Sequence, residues 1–231
     1  MKTITETDKD FICDIQAPCF QMLSVEEAEL VRESRTQVLF RKGDTLAKQG
    51  AFASYVLFVM TGLAKQYIEG DGSRSFNLRI IRPGEFIGLS SVFNRNTFTY
   101  SAVALTECRV FLIEKATLAN VIKQNGAFAF SFIQRYCEQN NDPTATLRNI
   151  IYKQMNGRMA DTLLYIDSLK VEHPDIFQQL SRRDLAEFAG ISMESAVKLL
   201  KSFEKDGIIQ LNEKDIRLVN SDLLREISRL G

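Results

Sequence analysis

The chain has 231 residues, enough for two modest domains with cores of their own. Lysine plus arginine equals aspartate plus glutamate at 29 each, and from Ile151 onward twelve basic side chains face thirteen acidic ones. Bulk charge therefore counts mildly against a strongly non-specific DNA binder and leaves room for a small basic face on one helix. No run approaches the ~20 apolar residues of a membrane span, and the first ten residues lack the apolar core of a secretory signal. A cytoplasmic protein is expected, in which four cysteines are free thiols or ligands rather than disulfides.

Residues 1–22 form a polar start that turns mixed at Phe11 and carries Asp10, Cys13 and Cys19. Ser24 followed by Glu27 has the spacing of a capping box and opens a short helix to about Ser34. From Gln37 short runs rich in Val, Ile, Phe and Tyr alternate with glycine turns. The spacing predicts strands at Val38–Phe40, Thr45–Lys48, Tyr55–Thr61, Leu63–Glu69, Ser75–Ile81, Phe98–Leu105 and Arg109–Ile113. Many short strands so spaced indicate a barrel or sandwich, with either a ligand cavity or a filled core.

Leu118–Gln139 reads as a helix. Phe128, Phe132 and Tyr136 recur every fourth residue, with Ile133 and Cys137 beside them. Two readings stand open: the stripe packs on the barrel, or it joins two subunits. Asp142-Pro143 predicts a kink or a helix boundary, because proline removes a helical hydrogen bond. Helix resumes over Leu147–Leu169, and the polar loop Glu172-His173-Pro174 leads on.

Leu180–Gly207 is the most informative stretch. Ser181 with Asp184 three residues on predicts a capped helix, with Leu185, Ala186 and Ala189 on its apolar side. Gly190 suits a turn requiring positive φ. Ser192 caps a second helix. Ala196, Leu199, Leu200 and Phe203 fall on one face of it, and Glu194, Lys198, Lys201 and Lys205 on the other. Gly207 stops it. Strand candidates Ile208–Leu211 and Ile216–Val219 flank the polar turn Asn212–Asp215, and residues 222–230 form a closing helix. Two helices followed by a hairpin make a winged helix-turn-helix.

The expected chain is thus α+β: an N-terminal segment (1–22), a β-roll or jelly-roll barrel (23–122), a connecting and dimerisation helix (123–152) and a winged helix-turn-helix (153–231). Nucleophile–base pairs and phosphate-binding glycine loops are missing from the sequence pattern, so an enzyme is not expected. A cupin-type metalloenzyme draws on several histidines, and the single histidine, His173, lies outside the barrel. A ligand-binding module acting through protein partners is the remaining alternative. Salt-sensitive duplex binding separates it from a DNA-binding regulator.

This order of parts resembles the Crp/Fnr family of bacterial transcription regulators. LSRRDLAEFAGISMESAVKLLKSFEKDGII matches the family's DNA-binding signature, and RPGEFIGLSSVF the barrel segment before its effector pocket. CFQMLSVEEAELV and FRKGDTLAKQGAFASYVLFVMTGLAKQY match the start of the barrel. The resemblance implies a cyclic-nucleotide-binding-like sensor domain, a homodimer, and RNA polymerase as a protein partner. It also implies double-stranded DNA with a palindromic operator, read in successive major grooves roughly 34 Å apart.

By the same resemblance, Ser181, Arg182 and Ser192 stand where phosphates are held, although helix capping accounts equally for the two serines. Glu194 stands at the base-reading glutamate, able to accept from cytosine N4. Lys198 stands where arginine reads guanine, without the bidentate fork. Met193 replaces a frequent arginine, so the operator is expected to differ from the usual family sequence. Ser195 and Lys201 complete the candidate DNA-binding set.

Cyclic-AMP binders of the family use a glutamate for the ribose and an Arg-Ser pair for the cyclic phosphate. Leu89, flanked by Gly88 and Ser90, falls on the glutamate, and Tyr100 on the arginine. Ser101 is kept, and Pro143 falls on the adenine-reading position. Loss of the guanidinium removes a charge-assisted bond worth ~1.5–3 kcal/mol, so cyclic AMP is not the expected effector. The oxygen-sensing branch holds an iron–sulfur cluster on four cysteines. Cys13-x5-Cys19 reproduces one of its spacings, Cys108 falls on the barrel cysteine, and Asp10 takes the place of the first. These four form a candidate ligand set for an oxygen, redox or nitrosative-stress sensor. The open alternative is that Cys108 is core and the N-terminal pair remnants. Cys137 reads as packing.

Overall fold

The computed structural model describes residues 1–5, 18–72, 74–93, 96–139 and 143–231. It divides into two compact units, Met1–Glu69 with Arg79–Asn141, and Gly70–Leu78 with Asp142–Gly231. None of the described helices is long and apolar enough to cross a membrane.

The first unit begins with β1 (Lys2–Ile4) and a short 3-10 turn (Pro18–Met22). Helix α1 (Val25–Glu33) follows, with the capping box in place: the Glu27 N–H donates to Ser24 Oγ at 3.2 Å and the Ser24 N–H to Glu27 Oε2 at 2.8 Å. Then come β2 (Arg35–Phe40), β3 (Thr45–Ala47), β4 (Tyr55–Thr61), β5 (Ala64–Glu69), β6 (Ser75–Ile81, of which residues 79–81 belong to this unit), β7 (Phe86–Ile87), the short helix α2 (Ser90–Phe93), β8 (Ser101–Ala104) and β9 (Cys108–Glu114). A five-stranded sheet runs β1-β2-β9-β4-β7, and a four-stranded sheet β3-β8-β5-β6. Strand β9 sits between β2 and β4, with Val110 opposite both Val38 and Val59.

At its centre the five-stranded sheet is buried on both faces. Leu57, Val59, Cys108 and Val110 belong to a core shared with Ala47, Ala64, Ala102 and Ala104 of the other sheet. Their neighbours Val56, Phe58, Phe111 and Ile113 belong to a second core, closed by helices. This double burial is why β4 and β9 read as unbroken apolar runs rather than alternating ones.

The helix expected over Leu118–Gln139 is two: α3 (Lys115–Gln124) and α4 (Gly126–Gln139). Asn125 makes the break. Its Oδ1 accepts from the Phe128 N–H at 2.9 Å, and its Nδ2 donates to Met22 O and to Glu27 Oε2. Phe128 and Phe132 are fully buried, in a cluster with Phe20, Phe58 and Phe86; the Phe86 and Phe132 centroids lie 5.5 Å apart. Of the two readings of this stripe, packing within the unit is what forms, at ~1.5–3 kcal/mol per buried phenylalanine. Phe130, Ile133 and Cys137, on the other side of α4, are exposed.

In the second unit α5 (Pro143–Tyr152) opens on the proline, tolerated at a helix's first position, where an N–H has no partner anyway. The expected Leu147–Leu169 helix is also interrupted, and α6 (Met155–Ser168) starts after Gln154. Next come α7 (Ile176–Gln179), α8 (Arg182–Ala189), α9 (Met193–Lys205), β10 (Ile209–Asn212), β11 (Asp215–Leu218) and α10 (Ser221–Leu230). Met159, Leu163 and Ile166 of α6 are buried, as are Leu185, Ala189, Leu200, Ile216 and Leu224 from the elements around it. At the end of α10, Ser228 Oγ donates to Asp161, which also receives Lys153 Nζ at 2.7 Å.

Candidate nucleic-acid interface and sensor site

Helix α8 is capped as its sequence requires. The Asp184 N–H donates to Ser181 Oγ at 3.1 Å, and the Ser181 N–H to Asp184 Oδ2 at 2.7 Å. The helix stops at Gly190, left-handed at φ +61°. After this turn Ser192 caps α9, accepting from the Ser195 N–H at 3.1 Å; the two hydroxyls are also bonded, at 3.1 Å. Ala196, Leu200 and Phe203 bury one face of α9, while Met193, Glu194, Lys198, Lys201 and Lys205 stand exposed. One exposed face thus gathers a carboxylate acceptor, ammonium donors and a thioether, the equipment for reading base edges. The β10–β11 hairpin follows directly, with Asn212 opposite Asp215. Arg182, at the start of α8, is half-buried, and its Nη2 donates to the carbonyl oxygen of Glu213 in the hairpin turn at 2.9 Å. Burial pushes its pKa down, opposed by the Glu204 carboxylate.

In the first unit the candidate effector residues are engaged with one another. Gly88 is left-handed at φ +84° and buried, and its N–H donates to the Tyr100 hydroxyl at 2.9 Å. A Cβ at Gly88 would lie 2.6 Å from the Phe98 ring, so only glycine fits. Burial pushes the Tyr100 hydroxyl pKa up. Leu89 points into the helix-side core with Phe86 and Phe111, and Ser90 begins α2. Ser101 is buried. Its Oγ donates to Glu69 Oε1 at 2.5 Å and accepts from the Gln49 N–H at 2.9 Å. Lys48 Nζ, 2.6 Å from Glu69, and the Ser101 hydroxyl together hold that carboxyl below its usual range. Nearby Arg79 donates to Gln66 Oε1 at 2.9 Å and pairs with Glu85.

Residues 37–125 match the family model of the cyclic nucleotide-binding domain, and residues 157–227 that of the Crp-like helix-turn-helix domain. The chain belongs to the Crp/Fnr family of transcription regulators. It is 26% identical over 211 residues to the Anaerobic regulatory protein of Bacillus subtilis strain 168, covering 88% of each chain. With the Cyclic AMP receptor protein of Thermus thermophilus it shares 22% over 212 residues, 92% of this chain and 97% of that one. FixK2 from Bradyrhizobium japonicum superposes with a TM-score of 0.73 at 22% identity, over 85% of this chain and 98% of that one. This Crp/Fnr protein is a DNA-binding transcription regulator with a cyclic-nucleotide-binding-type sensor domain, and not an enzyme.

Of the four residues expected as cluster ligands, Asp10 and Cys13 lie outside the described residues. Cys19 is buried in the helix-side core and Cys108 in the core between the sheets. Apolar burial pushes each thiol up to about 11, and Cys108 Sγ donates to Leu63 O at 3.2 Å. A ligand thiol must ionise, and these surroundings oppose it. The structure does not bring Cys19 and Cys108 together; among the described residues, no three His, Cys, Asp or Glu side chains form a metal-binding group. Sequence reasoning missed the polar partners of the sensor residues, Glu69 and Gln49, and the tie from Arg182 to the hairpin. None carries a local signal, since the partners of Ser101 lie 32 and 52 residues away and that of Arg182 lies 31 away.

Proposed function

We propose that this regulator is a homodimer that reads a palindromic operator with α9 of each subunit, and that its barrel does not take cyclic AMP. The observation that carries the reading is the exposed α9 face of Met193, Glu194, Lys198 and Lys201, opposite a fully packed apolar side. Glu194 accepts from cytosine N4, Lys198 donates to guanine O6 or N7, and Met193 meets a thymine methyl. Lys201, Ser192 and Ser195 stand beside the reading residues, toward the phosphates.

Support for the dimer is the uncovered apolar side of α4: Phe130, Ile133 and Cys137 are all exposed, Phe130 at 66%. An apolar stripe left bare along a helix suits pairing with a second copy. Two α9 helices related by that pairing would meet half-sites roughly 34 Å apart. A signal acts by favouring one of two dimer states and so changing operator affinity. The regulator works in the cytoplasm, at promoters served by RNA polymerase.

The cyclic-AMP exclusion is supported by the barrel's own bonds. A cyclic phosphate would need the Ser101 hydroxyl, which faces the Glu69 carboxylate, and Tyr100 is tied to the Gly88 N–H. The guanidinium that would neutralise it is replaced by tyrosine.

Selection from a pool of random duplexes tests the DNA reading. The enriched sequence should be a palindrome with half-sites one helical turn apart, and its binding should weaken steeply with salt. An asymmetric product, or no enrichment, refutes it. Cyclic AMP at 100 times a true dissociation constant would stabilise the protein by ~2.7 kcal/mol; thermal unfolding is expected not to move.

A further inference from the structure

Helix α10 is fastened by polar contacts at both ends. At its start Asn220 caps it, accepting from the Leu223 N–H at 3.0 Å, and the Asn220 N–H donates to the carbonyl oxygen of Ile208, between α9 and β10, at 3.0 Å. About 12 Å further along the helix, Ser228 Oγ donates to Asp161 of α6 and accepts from Lys153 Nζ at 3.3 Å. The Lys153 ammonium also reaches both Asp161 oxygens, at 2.9 and 2.7 Å. At the same end Gly157 of α6 packs on Gly231, where a Cβ would lie 2.8 Å from the carbonyl carbon. Lys153 and Gln154 are the whole link between α5 and α6. Beside Lys153, the side chains of Ile151, Tyr152, Gln154 and Met155 are exposed. Lys153 turns inward instead: its side chain is 22% exposed and that of Asp161 26%, so salt screens this pair less than one at the surface. Another polar contact across the joint, Arg158 Nη1 to the Ile150 carbonyl oxygen, is long at 3.5 Å.

We propose that α10 sets the distance between the two reading helices of the dimer: Ser228 and Asp161 hold Lys153 and so fix the angle at the α5–α6 joint. The three are positioning residues that touch no DNA. The inference rests on the dimeric DNA-binding reading above. In sequence the bare stripe of α4 comes before this joint and α9 after it, so the angle here decides how far apart the two copies of α9 stand. An ammonium has three protons to donate, and here three acceptor atoms on two helices take them. Bending the joint withdraws Lys153 from both partners at once. Because the start of α10 is bonded to Ile208, the same helix that clasps Lys153 also holds the base of the hairpin and the end of α9. Lys153 and Ser228 flank residues 157–227, the span matched by the Crp-like helix-turn-helix domain, and belong to neither its reading helix nor its hairpin.

The test uses the full-length protein and the palindromic duplex obtained by selection, with the spacer between half-sites kept, shortened by one base pair or lengthened by one. A base pair adds about 3.4 Å, so a fixed joint suits one spacer, and wild-type protein should prefer the parent duplex. Ser228→Ala and Lys153→Met should each shrink that preference about tenfold, the worth of one hydrogen bond to a charged group. The quantity read is the ratio between duplexes, because a variant that is merely less stable loses affinity for all three by one factor. An unchanged ratio in either folded variant overturns the proposal, and so does wild-type protein that binds the three duplexes alike. Ser228→Ala decides the matter if Lys153→Met fails to fold, since alanine keeps the helix and removes one oxygen. Wild-type protein that binds none of the three at low salt would instead defeat the DNA-binding reading itself.

Discussion

Tyr100→Phe isolates the bond that closes the sensor barrel. The substitution keeps the ring that packs beside the inter-sheet core and removes only the hydroxyl. What is lost is the acceptor, at 2.9 Å, for the N–H of the buried Gly88. The strand cannot turn that N–H elsewhere, since Gly88 is fixed at φ +84° with the Phe98 ring against its Cα. A buried donor left without an acceptor costs ~1–3 kcal/mol, more than the ~1 kcal/mol net worth of a typical hydrogen bond. The first unit should therefore unfold ~1–3 kcal/mol more easily. Urea unfolding at unchanged m-value reads this as a lower midpoint. Tyr152, 80% exposed, is the control; Tyr152→Phe should stay within ~0.5 kcal/mol of wild type. If Tyr100→Phe is as neutral as the control, the hydroxyl does not seal the site.

Other substitutions separate the two faces of α4. Phe132→Ala should destabilise the protein by ~3–5 kcal/mol in urea, as a fully buried aromatic does, whereas Phe130→Ala should leave unfolding of the monomer unchanged and shift sedimentation toward the monomer. Lys198→Ala should weaken specific binding by ~1–3 kcal/mol and relax base choice at one position per half-site; unchanged selectivity in a repeat selection would remove Lys198 from the reading set. At pH 8 Cys19 and Cys108 should stay protected from alkylation until the protein unfolds, as peptide mass spectrometry can follow. Both buried thiols rise from 9.0 to about 11 on folding. Their neutral form is favoured in the folded state, so stability should be full below pH 9 and decline as pH climbs toward 11. Protein prepared without oxygen should show no broad visible band; a band lost in Cys19→Ala would return Cys19 to the candidate cluster.

The DNA-binding unit was legible because its signals are local. Ser181 with Asp184, Gly190, Ser192 and the apolar period of α9 each fix a cap, a turn or a face within a few residues. The longer strands were legible for a similar reason, as apolar runs bounded by glycine turns. Strands β1 and β7 were not, having three and two residues and hence no period to read. The α3–α4 break hid behind a stripe that continues through it, although Asn125-Gly126 was a usable capping signal. Helix α4 is apolar on two sides. Periodicity alone does not say which of Phe128-Phe132 or Phe130-Ile133 meets the protein's own core. At the sensor site, sequence showed which family residues are absent but not what replaces their contacts. The carboxylate of Glu69 reaches Ser101 through the pairing of β5 with β8, where Tyr67 lies opposite Ser101.

A sheet covered on both sides has a consequence for how this barrel can vary. Along β4, Val56, Leu57, Phe58 and Val59 are all buried, so a saturation scan should show no every-other-residue rhythm of permissive sites there. Variation that retunes the sensor without unfolding it is confined to the turns and to the residues around Gly88 and Tyr100, where polar groups already replace hydrocarbon.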